Sequence, residues 1–207
     1  DPIPSRGLGD VYKRQGQDAA GISVCNNDDQ LNSRKSMGYV RDVFQQRHME
    51  KLVGNYGIGH VRYPTAGGAG KEFAQPMYVN SPYGISLVHN GNLTNSKQLG
   101  NELFHAEMRD LQTDSDSEVL LNIFAHELGK QREIYPSEKH IFKAVAKTHI
   151  RCDGAYAVLA LINGHGMLAF RDSNGIRPLS IGIRKGKSRD DYIISVSYTH
   201  LRAHETV

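Results

Sequence analysis

The sequence predicts an α+β fold with largely antiparallel strand pairing, and three observations carry that prediction. Short apolar strand patterns cluster toward the front and back of the 207-residue chain, periodic helical segments lie between them, and two of the later strands are joined by the hairpin dipeptide Asn163-Gly164. A doubly wound parallel sheet would instead alternate strand and helix throughout.

Taken in order, strands are expected at Gly21 to Val24, Asn55 to Val61, Ile85 to Val88, Ala155 to Ile162, Met167 to Arg171, Leu179 to Ile183 and Tyr192 to Ser195. A first, weaker helix spans Asn95 to Met108 with Thr94 as cap, and Gly100 costs it about 1 kcal/mol against alanine. Ser115 and Glu118 fit a capping box, after which Val119, Leu120, Ile123, Phe124 and Leu128 recur at spacings of three and four, predicting an amphipathic helix. Ser137 caps the next helix, with Ile141, Phe142, Val145 and Ile150 on its apolar side.

The two ends lack such patterning. Residues 1–15 and 196–207 resemble translated adapter sequence and are set apart as a non-native leader and tail, leaving residues 16–195 as one domain. Composition is that of a soluble globular chain, with 39% hydrophobic and 23% charged residues and no apolar run of membrane-spanning length, so no membrane partner is expected. Lys+Arg 25 against Asp+Glu 22 leaves a net charge of +3 with the cations scattered, so no nucleic-acid partner is expected either. Cys25 and Cys152 make neither a disulfide framework nor a metal cluster, and a cytoplasmic location is expected.

Three constellations carry chemistry. Arg62 follows the apolar run Gly57-Ile58-Gly59-His60-Val61, where a guanidinium can grip a carboxylate with two parallel hydrogen bonds and Thr65 can add a hydroxyl; the plain alternative is a strand-end arginine in solvent. Asn90-Gly91 offers a side-chain amide and an unshielded N–H, paired donors suited to an oxyanion, against the alternative of a simple turn. Asp114-Ser115-Asp116 opens a helix and is either N-capping or a site for a cation. Together an arginine for a carboxylate, an aspartate for an ammonium and an oxyanion pair suit an amino acid whose side-chain carbonyl is attacked.

Other motifs fail on spacing. A phosphate-cradling loop ending at Gly70-Lys71 needs glycine at 65 and a hydroxyl residue at 72, where Thr65 and Glu72 stand. Glu118 and Val119 break a calcium loop, and Lys130 replaces the second histidine that His126-Glu127 would need for zinc. No metal site is expected, and Cys25 and Cys152 read as buried structural thiols.

The strings Gly16 to Gly21, Gly57 to Thr65, His89 to Asn95 and Phe170 to Leu179 closely resemble the glutaminase domain of the amidophosphoribosyltransferase family, within the class II glutamine amidotransferases. The resemblance implies an N-terminal-nucleophile hydrolase fold, a four-layer αββα sandwich of two antiparallel sheets, here lacking its first strand. It implies that Arg62 and Thr65 hold the α-carboxylate of L-glutamine, Asp116 its α-ammonium, and Asn90 with Gly91 the oxyanion. It further implies that ammonia passes to a phosphoribosyltransferase domain. There it displaces pyrophosphate from phosphoribosyl pyrophosphate, giving phosphoribosylamine for purine synthesis, in an enzyme that is a homo-oligomer. No cofactor belongs to the glutaminase domain, and Mg2+ belongs to the transferase domain.

The chain also departs from the family. Members begin with a processed Cys-Gly-Ile strand whose thiol is the nucleophile and whose α-amine is the base, whereas Asp1 is first here and Lys13-Arg14-Gln15 replaces the family's Gln-His-Arg. The expectation is a glutamine pocket without glutaminase activity. A noncatalytic glutamine-binding module is the alternative, and a cysteine hydrolase using Cys152 with His149 or His165 is a third reading.

Overall fold

The computed structural model describes residues 18–63, 70–187 and 189–196, and in it the expected antiparallel α+β architecture is realised. The first sheet has β1 (Ala19–Cys25) at its centre, flanked by β2 (Leu31–Met37) and β3 (Tyr56–Arg62), both antiparallel to it. β2 is an unpredicted edge strand. Its polar sequence hides the strand period, and the turn before it is closed by Asn26, whose Oδ1 accepts the N–H groups of Asp28 and Gln30 at 3.0 and 2.9 Å. Two single-turn helices, α1 (Val40–Val43) and α2 (Gln46–Met49), follow and are too short to show periodicity.

The second sheet runs in the order β4 (Met77–Val79), β5 (Ile85–Leu93), β6 (Gly154–Ile162), β7 (Gly166–Arg171). Between β5 and β6 the chain makes α3 (Ser96–His105), α4 (Asp116–Gly129) and α5 (Glu138–Arg151). Because side chains alternate across a strand, each central strand serves two layers. Ile85, Leu87, Val158, Ala160 and Ile162 join the helices in the main core. Val88 and Leu161 meet Ile58 of the first sheet in a second apolar cluster. Helices, sheet, sheet and the small α1, which packs on β1 and β2, give the four layers. A separate two-stranded sheet of β8 (Ser180–Arg184) and β9 (Asp191–Ser195) adds to the two sheets expected.

Between the sheets, Ser86 Oγ donates to Ser23 Oγ at 2.8 Å, and Ser23 and Ser33 hydroxyls lie 2.6 Å apart, so buried hydroxyls satisfy one another across the layers. Gly21 is required by close approach, since a Cβ there would stand 2.0 Å from the Gln75 carbonyl oxygen.

The helices differ from expectation in four ways. α4 is buried almost all round, Leu121 and Ala125 included, because α3 and α5 cover the side a surface helix would show to water. Glu118 closes no capping box; its carboxylate turns back to accept from the N–H groups of Gln112 and Thr113 at 2.9 and 2.8 Å, while Ser115 does cap the helix. On α5 the buried positions are Ile141, Ala144, Val145 and Thr148, so Phe142 and Ile150 are exposed. Asn95 rather than Thr94 stands at the start of α3, and its amide donates to the Arg151 carbonyl at 2.8 Å.

Candidate active site

A cavity of about 510 Å³ opens where the ends of β3 and β5 meet the start of α4, and Arg62, Asn90, Gly91 and Asp116 all line it. These four residues, read from separate motifs, therefore share one site. Thr65 lies outside the described residues.

Arg62 is the last residue of β3, opposite Ala19 of β1, not a residue beyond the strand. Its side chain is only 11% exposed; Nη1 donates to Asp18 Oδ2 at 2.6 Å, and the guanidinium carbon lies 5.4 Å from the Phe73 ring centroid. The solvent-arginine alternative is thereby removed. Asp18 and Phe73 hold the guanidinium at the cavity wall.

Asn90-Gly91 is not a turn, for β5 continues through it and pairs these residues with Ala157 and Tyr156 of β6. Gly91 has φ +153°, and a Cβ would stand 2.1 Å from the Ala155 carbonyl oxygen. Only glycine lets β5 lie this close to β6 while bending past the cavity.

Asp116 is the first residue of α4, yet its carboxylate reaches outward from the helix: Oδ2 accepts the Leu93 N–H at 3.1 Å, which ties α4 to β5. Beside it lies a buried polar cluster that the sequence did not reveal. Gln75 donates through Nε2 to the His89 carbonyl at 3.2 Å and to Ser117 Oγ at 3.1 Å, and accepts the His89 N–H at 2.6 Å. His89 Nδ1 and Ser117 Oγ are 2.9 Å apart. Gln75 carries no local signal, whereas His89 adjoins Asn90 in a conspicuous motif.

The cavity histidines are held neutral. Burial pushes His60 down to about 4, helped by His89 and the Arg62 charge. Burial likewise lowers His89; the Arg177 charge acts in the same direction and the Asp116 carboxylate against it. Arg177 reaches the wall through a loop organised by Asp172, which accepts the N–H groups of Tyr156, Ile176 and Arg177 at 3.2, 2.8 and 3.0 Å. Burial alone would raise the Asp172 carboxyl, but these N–H donors outweigh it and hold it below the ordinary range.

Cys25 and Cys152 are both buried, and neither lines the cavity. Burial pushes the Cys152 thiol up to about 12, the reverse of an activated nucleophile. Its candidate bases are engaged elsewhere: His149 Nδ1 lies 2.8 Å from the Tyr156 hydroxyl, and the His165 ring packs edge-on against Tyr83. Among the described residues no group of three or more His, Cys, Asp or Glu side chains is placed to hold a metal ion. No helix among them is long and apolar enough to cross a membrane.

A layered α+β domain with an arginine, an aspartate and an Asn-Gly pair around one cavity presents a set of charges and donors that suits an amino acid with a polarisable side-chain carbonyl. Residues 68–195 match the family model described as glutamine amidotransferase domain, and the chain belongs to that family. It is 56% identical over 185 residues to the amidophosphoribosyltransferase of Pseudomonas aeruginosa, covering 89% of this chain and 37% of that protein. The corresponding Escherichia coli enzyme is 54% identical over 187 residues, covering 89% and 37%. Among solved structures, the glutamine phosphoribosylpyrophosphate amidotransferase of Bacillus subtilis complexed with ADP and GMP superposes with a TM-score of 0.72 at 31% identity, over 93% of this chain and 38% of that one. The chain thus spans little more than a third of the length of the relatives it matches.

Proposed function

We propose that this chain is the glutamine-binding part of an amidophosphoribosyltransferase. In the parent enzyme glutamine is hydrolysed to glutamate and ammonia, and the ammonia displaces pyrophosphate from phosphoribosyl pyrophosphate to give 5-phosphoribosylamine, the first committed step of purine synthesis. The reading extends to a cytoplasmic, homo-oligomeric parent whose Mg2+ serves the transferase chemistry. One observation carries it: Arg62, Asp116 and Asn90-Gly91 line a single cavity in a chain of this family. In this arrangement Arg62 receives the α-carboxylate, Asp116 the α-ammonium, and the Asn90 amide with the Gly91 N–H receives the oxygen that becomes negative when the amide carbon is attacked. Thr65 joins Arg62 at the carboxylate end.

A second reading is favoured by the placement of the thiols. Since neither cysteine reaches the cavity, the 207-residue chain acts by itself as a noncatalytic glutamine-binding module. Calorimetric titration with L-glutamine tests the binding that both readings require. Binding is expected, with a loss of at least about tenfold in Arg62→Ala; absence of binding, or an unchanged affinity in that variant, overturns both. Glutamate release from the same region expressed with its uninterrupted flanking genomic sequence separates them, because only the enzyme reading predicts it.

A further inference from the structure

Apart from the glutamine cavity, a groove of about 950 Å³ lies beside the edge strand β2. Arg34, Lys35, His48, Lys51, Lys71 and Tyr78 line it, and no aspartate or glutamate does. Among the described residues none of the four lysine and arginine side chains forms an ion pair with a carboxylate. Two of them are instead fixed by backbone carbonyls: Arg34 Nε donates to Val43 O at 2.8 Å, and Lys35 Nζ to Ala74 O at 2.7 Å. The charge of Lys71 bears on Lys35, and that of Arg34 bears on His48, with Glu118 the one carboxylate acting on Lys35. Gathering like charges in a concave, partly apolar surface is unfavourable in the absence of a counterion.

We propose that this groove binds the diphosphate group of a small anion. Arg34 can meet two phosphate oxygens at once, Lys35 adds a charge already held in place by the Ala74 carbonyl, and Lys51 and Lys71 supply mobile point charges for the remaining oxygens. The half-exposed Tyr78 ring and the apolar Leu31 and Leu52 leave room for an attached organic group. No residue is shared with the glutamine cavity, so the inference stands apart from the proposed function.

Calorimetric titration of the 207-residue chain with inorganic pyrophosphate and, separately, with ADP tests it. Saturable one-to-one binding that weakens with salt is expected for both. The Lys51→Ala/Lys71→Ala variant, in which both side chains are exposed, should bind at least about tenfold more weakly. Lys139→Ala/Lys143→Ala on α5 serves as the charge-matched control and Asn90→Ala as the glutamine-cavity control, and neither should alter affinity. Equal affinity for the two probes places recognition in the diphosphate alone; tighter ADP binding that Tyr78→Ala removes places an organic group on that ring. Absence of saturable binding, equal weakening in the α5 control, or loss in Asn90→Ala overturns the proposal.

Discussion

Asp18 accepts a 2.6 Å hydrogen bond from Arg62, and the two side chains are 15% and 11% exposed. The residue assigned to an incoming carboxylate thus already carries a carboxylate of the protein. A ligand does not draw Arg62 in from solvent; it meets a guanidinium fixed in place, and its affinity reflects orientation as much as charge. Asp18→Ala is therefore expected to weaken glutamine binding even though Asp18 repels a carboxylate at long range. Removing either partner should cost about 3 kcal/mol of stability, and the double variant less than the sum. Chemical denaturation of the two single variants and the double variant measures this coupling; simple additivity would show that the pair does not act as a unit.

Gly91→Ala is expected to destabilise the chain by at least about 2 kcal/mol, because the new methyl group meets the backbone of β6 at a φ that L side chains rarely adopt. Thermal melting detects the loss. A variant with native stability and unaltered glutamine affinity would show that the close β5–β6 approach is relaxed at no cost.

Acid sensitivity follows from His60 and His89. Both are protonated less readily in the folded chain than in the unfolded one, so their contribution is complete above the ordinary histidine value of 6.5 and declines as pH falls below it, for His60 down toward about 4. The melting temperature should fall across that window. His60→Gln should shrink the fall without abolishing it, since burial also lowers His89, His126 and His149. An unchanged pH profile in that variant would remove His60 from the account.

The thiols should be inert in the native chain. Cys25 and Cys152 are expected to resist iodoacetamide until the protein unfolds, and the purified 207-residue polypeptide should release no glutamate from glutamine. Glutamate release that Asn90→Ala abolishes would show that the cavity holds a working nucleophile.

The strands that pack on both sides were legible because burial imposes apolar residues on them, as in β5 and β6. The edge strand β2 was not, since one partner and a solvent-facing side leave its sequence free to be polar. Helix α4 was legible in position but not in environment: spacing reveals one buried face, and only tertiary packing shows that the opposite face is covered too. Phe142 and Ile150 show the converse, apolar residues at plausible spacings that the fold leaves outside. In the site, Arg62, Asn90, Gly91 and Asp116 could be found because each residue type suits a chemistry at a strand or helix end. Gln75 could not, because its role lies in three hydrogen bonds to residues far away in sequence.

The hydrogen bond from the Leu93 N–H to Asp116 ties the start of α4 to the end of β5. It joins the carboxylate assigned to the α-ammonium to the same strand that carries Asn90 and Gly91, so the two ends of the cavity cannot slide apart or together independently. With glutamine held as proposed, such a cavity would act as a gauge of side-chain length, and asparagine, one methylene shorter, is expected to bind more weakly; equal affinity of the two amino acids in calorimetric titration would show that this single backbone hydrogen bond calibrates no ruler.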